Sequence, residues 1–177
     1  MTDFDFESRI VDIPDYPEPG VVFKDITPLF DDPEALHAVI DAIADHFADR
    51  GITKVVGAEA RGFLVGAPVA YRLGCGFVPA RKPGKLPREV FSQTYSLEYG
   101  TDELQIHRDA LEPSDKVLII DDLVATGGTA IASAQLVEQS GAQVEGFAFI
   151  LELAFLNPRS IIGEKYPQEV FTLVKVG

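Results

Sequence analysis

A chain of 177 residues, 46% hydrophobic and 24% charged, can bury roughly 70% of its unfolded surface and fold as one domain without a disulfide or structural metal. Its 28 acids against 15 bases leave a net charge of −13, which repels nucleic-acid phosphates and anionic membranes, and no run approaches the ~20 apolar residues that span a bilayer. The single Cys75 excludes an internal disulfide and an all-cysteine metal site; with no leader-like apolar run at the N-terminus, a reducing cytoplasm is the expected compartment.

The first segment, residues 13–30, carries Pro14, Pro17, Pro19, Gly20 and Pro28, too many prolines for a central element, yet it holds Val21, Val22 and Phe23 and reads as a cap over something. Asp32, Pro33 and Glu34 then supply a helix cap, a first-turn proline and a dipole-matched acid. Leu36, Val39, Ile40, Ile43 and Phe47 follow at helical spacing until Arg50-Gly51. A strand over 54–57, a helix over 62–73 and a strand over 76–80 come next. Residues 81–100 have no helical period. Arg81, Lys82, Lys85 and Arg88 sit there among Pro83, Gly84 and Pro87, the pattern of a long basic loop on an acidic protein. Alternation at Leu104 and Ile106 predicts a flanking strand. An apolar strand over 117–120, a helix over 129–139 and strands over 144–151 and 170–176 complete the chain. Buried strands alternating with helices predict an α/β fold: a twisted, mostly parallel sheet flanked by helices.

The stretch Val117-Leu118-Ile119-Ile120-Asp121-Asp122-Leu123-Val124-Ala125-Thr126-Gly127-Gly128-Thr129 carries the chemistry. A buried strand ends in two carboxylates, and a small-residue loop then opens a helix, which is where doubly wound sheets bind ligands. Gly127 and Gly128 let backbone N–H groups approach closely, Thr126 and Thr129 add hydroxyls, and the helix N-terminus attracts an anion, so residues 125–129 are expected to hold a phosphate. Asp121 and Asp122 would repel a phosphate touching them; a neighbouring diol, reached directly or through Mg²⁺, suits them better. The chain has neither the Gly-Lys-Ser/Thr of a nucleotide triphosphatase loop nor a dinucleotide-binding glycine fingerprint. His37, His46 and His107 do not cluster with one another or with Cys75, and read as helix-face or strand residues.

This stretch resembles the phosphoribosyl pyrophosphate signature of type I phosphoribosyltransferases. Four others are similar to the adenine-using members of that family: Pro19-Gly20-Val21-Val22-Phe23-Lys24-Asp25-Ile26, Glu59-Ala60-Arg61-Gly62-Phe63, Arg81-Lys82-Pro83-Gly84-Lys85-Leu86-Pro87 and Tyr95-Ser96-Leu97-Glu98-Tyr99-Gly100. The likeness runs in order over residues 10–150 and weakens after Glu152. It implies a single domain with an N-terminal hood (10–30) over the site and a flexible catalytic loop (81–100). It implies adenine and phosphoribosyl pyrophosphate as substrates, AMP and pyrophosphate as products, Mg²⁺ carried by the donor and not by protein ligands, and a homodimer. Asp121, Asp122, Ala125, Thr126, Gly127, Gly128 and Thr129 would take the ribose 5-phosphate, and Arg61, Arg81, Lys82 and Lys85 the pyrophosphate. Val22, Phe23, Lys24 and Leu123 would take the base, with Glu98, Tyr99 and Arg61 catalytic. From the residues alone, Phe23 reads as plain core, Lys85 as a solvated charge and Glu98 equally as an ordinary loop acid. A xanthine or hypoxanthine-guanine enzyme is the alternative activity. A purine-sensing regulator of the same fold would carry a DNA-binding module and a basic face, which a chain at −13 does not offer.

Overall fold

The Asp32 carboxylate accepts from the amides of Glu34 (2.8 Å) and Ala35 (3.2 Å), and with Pro33 in its first turn it starts the longest helix, α2 (Pro33–Phe47), as the sequence predicts. The computed structural model describes residues 4–96 and 100–177. Before α2, β1 (Val11–Pro14) and β2 (Val22–Asp25) form an antiparallel hairpin, followed by the single turn α1 (Pro28–Asp31). The proline-rich segment thus forms an element outside the main sheet.

The main sheet contains β3 (Lys54–Ala58), β4 (Gly76–Ala80), β7 (Lys116–Val124), β8 (Gln143–Leu153) and β9 (Val170–Val176), in the order β4-β3-β7-β8-β9. Every pairing is parallel. Each strand therefore needs a crossover, and α3 (Gly62–Leu73), α4 (Gly128–Gln139) and α5 (Pro158–Gly163) lie in these connections. Burial on both faces follows the period of two: Val55, Leu118, Ile120 and Ala148 face α2 and α3, while Val56, Val117, Ile119 and Phe147 face α4. Packing is tight where α3 crosses the sheet. A Cβ on Gly57 or Gly66 would fall 2.8 or 2.6 Å from the Phe77 ring, so only hydrogen fits there.

The chain order reverses between β3 and β7, since β3 leads outward to β4 and β7 leads the other way to β8 and β9. Connections leave that point in opposite directions and open a crevice at the carboxyl ends of β3 and β7.

Three elements differ from the sequence-based expectation. Residues 90–96 are not loop: β5 (Val90–Ser96) pairs antiparallel with β6 (Thr101–His107). Phe91 and Tyr95 pack against the α4-side core. Their spacing on one face of a strand was the available signal, masked by the prolines before it. Strand β7 runs on to Val124, so Asp121 and Asp122 stand inside a strand and not beyond its end. Helix α5 was not expected; at six residues, after Asn157 at φ 60°, it is too short to show a period.

Candidate active site

The crevice at the switch point holds a cleft of about 360 Å³. One wall is the end of β3 and the turn into α3, with Glu59, Ala60 and Arg61. The floor is Asp121 and Asp122 on β7, and the far wall is Leu123, Val124 and the loop 125–129 leading into α4. Lys82, Tyr95, Asp102 and Leu104 close the remaining side from the hairpin β5–β6 and the segment before it.

The loop takes its shape from Gly127, the residue before the first turn of α4, at φ +85°, a backbone conformation that a side chain resists. It is packed from both sides. A Cβ on Gly127 would lie 3.0 Å from Ile162 of α5, and one on Gly128 would lie 3.0 Å from the Ser96 carbonyl. The amides of the first turn of α4 have no helical partners, so their N–H groups and the helix dipole make residues 125–129 an anion cradle.

Asp121 and Asp122 differ in state. Burial first, and the neighbouring Asp122 charge second, hold the Asp121 carboxyl well above the usual carboxylate range, although its Oδ1 accepts from the Asp122 amide at 2.9 Å. Asp122 is 4% exposed. Its Oδ2 is buried and ion-paired with Arg61 Nε at 2.7 Å, though off hydrogen-bond geometry. The two acids are thus disposed toward a diol or a hydrated cation and away from a phosphate.

Glu59 organises the basic residues. Its side chain is 6% exposed and takes Arg81 Nε at 2.8 Å, the Lys82 amide at 2.9 Å and Lys85 Nζ at 3.1 Å. Burial works against its charge, but these three donors outweigh burial and leave its pKa lowered. Lys82 Nζ pairs with Asp102, whose carboxylate also accepts from the Tyr95 hydroxyl at 3.4 Å. Two cations, Arg61 and Lys82, thus line the cleft and two more, Arg81 and Lys85, stand behind its wall, each braced by an acid, an arrangement suited to a di- or polyphosphate.

The comparisons with known proteins give the same reading. Residues 25–171 match the model of the phosphoribosyl transferase domain. The adenine phosphoribosyltransferase of Desulfitobacterium hafniense is 54% identical over 173 residues, 98% of this chain and 97% of that protein. The chain belongs to the adenine phosphoribosyltransferase family. Among solved structures, the family member from Thermoanaerobacter pseudethanolicus superposes with a TM-score of 0.91 at 48% identity, covering 97% of this chain and 98% of that one. The enzyme from Saccharomyces cerevisiae, complexed with an imino-altritol bisphosphate and adenine, gives 0.89 at 42% identity, covering 96% of each chain.

Of the residues expected from the sequence, Arg61, Lys82, Asp121, Asp122, Leu123, Ala125, Thr126, Gly127, Gly128 and Thr129 line one cleft. Arg81 and Lys85 stand behind its wall on Glu59. Val22, Phe23 and Lys24 lie on β2 of the N-terminal hairpin, outside the cleft lining. The Phe23 ring meets Tyr16 edge-on with centroids 5.3 Å apart, and Lys24 Nζ is 2.6 Å from Asp12, so the Lys24 side chain is used within the β1–β2 hairpin. Asp25, at the end of β2, accepts from the Thr27 amide (2.9 Å) and hydroxyl (2.8 Å), which together lower its pKa. Glu98 and Tyr99 lie outside the described residues. Glu59, Tyr95 and Asp102 received no role from the sequence. Glu59 stood in a quoted motif, and an acid between a strand end and an arginine turn was the signal; Asp102, across the hairpin, left none.

Proposed function

We propose that this chain transfers the ribose 5-phosphate group of phosphoribosyl pyrophosphate to N9 of adenine. The bond from N9 to ribose C1 forms, the bond from C1 to the pyrophosphate oxygen breaks, and the N9 proton leaves to a base. The observation that carries this reading is the anion cradle of residues 125–129 and the basic cluster on Glu59 flanking a single cleft with the acid pair between them. That spacing of phosphate site, diol site and pyrophosphate site follows the order of groups along the donor. In this reading loop 125–129 holds the 5-phosphate, Asp121 and Asp122 take the ribose hydroxyls, and Arg61, Arg81, Lys82 and Lys85 take the pyrophosphate and its growing charge as the bond to C1 loosens. The base lies between Leu123 and the hood, with Phe23 as its aromatic face and the backbone at Val22 and Lys24 reading its edge. Glu98 takes the N9 proton, with Tyr99 beside it.

The acids suit a Mg²⁺ ion that arrives on the donor: Asp121 and Asp122 stand side by side in the cleft lining and would meet it directly or through its water. When bound, the ion neutralises pyrophosphate oxygens and makes pyrophosphate a better leaving group. The protein works as a cytoplasmic homodimer; Leu64 and Tyr71, 52% and 89% exposed on α3, suit a covered face.

Pyrophosphate release from phosphoribosyl pyrophosphate with adenine, hypoxanthine, guanine or xanthine tests the reading. Adenine alone should support turnover; preference for a 6-oxopurine would overturn the assignment. Glu98→Gln should lower kcat by ~10²-fold with adenine affinity unchanged. A variant with more than about half of the wild-type kcat, chemistry being rate-limiting, would remove Glu98 from the mechanism.

A further inference from the structure

The phosphate loop has almost no side chains with which to hold itself in place. Gly127 rests on Ile162, which is fully buried, and on the Pro158 carbonyl, at the 3.0 and 3.6 Å that a Cβ would find. Both belong to α5, a single short helix between irregular segments. Among the described residues, Arg159 makes all of the side-chain hydrogen bonds from α5 to the sheet. Its Nε reaches both oxygens of Glu152 (2.9 and 2.8 Å), its Nη2 reaches the Thr172 hydroxyl (2.9 Å), and its Nη1 donates to the Val170 carbonyl. Thr172 in turn donates to Glu152 at 3.0 Å. Glu152 is 3% exposed and sits on β8 in register with Val124, the last strand residue before the loop.

We propose that the Arg159–Glu152–Thr172 lock is a positioning device for the reaction: acting through Ile162, it fixes the height of loop 125–128 and thereby sets affinity for the 5-phosphate. This rests on the reading of that loop as the phosphate site. The physical reason is directional. An apolar contact alone would let a six-residue helix slide or roll over the sheet, whereas a guanidinium fork held by a carboxylate, a hydroxyl and a carbonyl admits one orientation. Backbone donors that must converge on one phosphate lose affinity when displaced by a fraction of an ångström. Arg159, Glu152 and Thr172 are not part of the cleft lining; their effect passes through α5.

The test uses the full-length protein and compares Arg159→Lys, Thr172→Val and Ile162→Val with the wild type. Readouts are the Kd for ribose 5-phosphate by calorimetry, separate KM values for phosphoribosyl pyrophosphate and adenine, and Tm. Arg159→Lys keeps the charge and loses the fork. It should raise the ribose 5-phosphate Kd and the donor KM by about five- to tenfold, with the adenine KM changed less than about twofold. Thr172→Val and Ile162→Val should move the same two constants by about two- to threefold; they carry the decision if Arg159→Lys does not fold. Donor and adenine constants rising together, or a lower Tm with an unchanged Kd, would refute the lock as a positioning device and leave it plain scaffold. A Thr126→Ala arm separates the two readings. If it weakens ribose 5-phosphate and the lock variants do not, the lock is refuted alone. If it too leaves the Kd unchanged, the phosphate reading and the lock fall together.

Discussion

Replacing Asp121 by Asn should make the protein more stable and less active. Burial and then the Asp122 charge raise the Asp121 pKa, and the Asp122 amide and Arg61 offset them only in part. An acid whose folded pKa exceeds its unfolded one, near ~3.9, contributes stability that is complete below the unfolded value and lost as pH climbs through the folded value. At neutral pH the aspartate is therefore a standing cost. Asparagine keeps an Oδ1 for the Asp122 amide, which sits at 2.9 Å, and deletes the charge. Relief on the order of 1–2 kcal/mol is expected, or roughly 2–8 °C in Tm for a chain of this size. The same change removes a charged acceptor from the ribose hydroxyls. That loss is about 1.5–3 kcal/mol, or roughly 10- to 150-fold in kcat/KM for the donor. Calorimetric melting of both proteins across about pH 4–8 gives the sign: the gap should open as pH rises and close as it falls, because the wild-type side chain becomes protonated in acid. A gap that does not vary with pH, or donor kinetics unaffected by the substitution, would refute the reasoning.

Gly62→Ala places a Cβ 2.9 Å from Asp121 Oδ1 and 3.3 Å from the Ile120 carbonyl. Neither neighbour yields without moving the acid pair, so a loss of ~1–3 kcal/mol in stability and about tenfold in donor affinity is expected, measured by denaturant melts and calorimetry. Glu59→Gln removes the common anion of Arg81 and Lys85, whose side chains are 34% and 51% exposed, so after screening by water the stability cost is held below ~2 kcal/mol. Because the Glu59 pKa is lowered, this cost should be present above the ordinary glutamate pKa and vanish as pH falls through the folded value. Pyrophosphate should inhibit the variant about three- to tenfold less well, by initial-rate inhibition.

How far the sequence carried is clearest at β7. Val117 to Ile120 followed by two acids and a glycine pair shows burial, a strand end and an anion loop in consecutive residues, and that local cause is why the fold class, the acid pair and the loop were all legible there. The helix start at Asp32 was legible for the same reason, since cap, proline and acid are neighbours in the chain. What escaped depends on contacts distant in sequence. Glu59 gains its role only when Arg81 and Lys85 fold back onto it, and Asp102 only when the hairpin brings it to Lys82. Strand β5 was hidden because Pro83, Gly84 and Pro87 suggested a loop running past Phe91. Helix α5 is held by Arg159 against residues from two other strands, a partnership with no mark in its own six residues.

The acids that brace Arg61, Arg81, Lys82 and Lys85 have a consequence for how a ligand reaches them. Among the described residues, Asp122, Glu59 and Asp102 each pair with cations at this cleft, and beyond a Debye length of ~8 Å the far field is that of a chain at −13. Loading the cleft is then an ion exchange: the incoming oxygens take over guanidinium and ammonium groups whose resident counter-ions are carboxylates. A bare polyanion would be repelled on approach and held only at contact, so added salt should quicken its arrival where electrostatically steered proteins are slowed. A donor already half neutralised by Mg²⁺ escapes most of that barrier, and entry is rationed by charge before any contact is made.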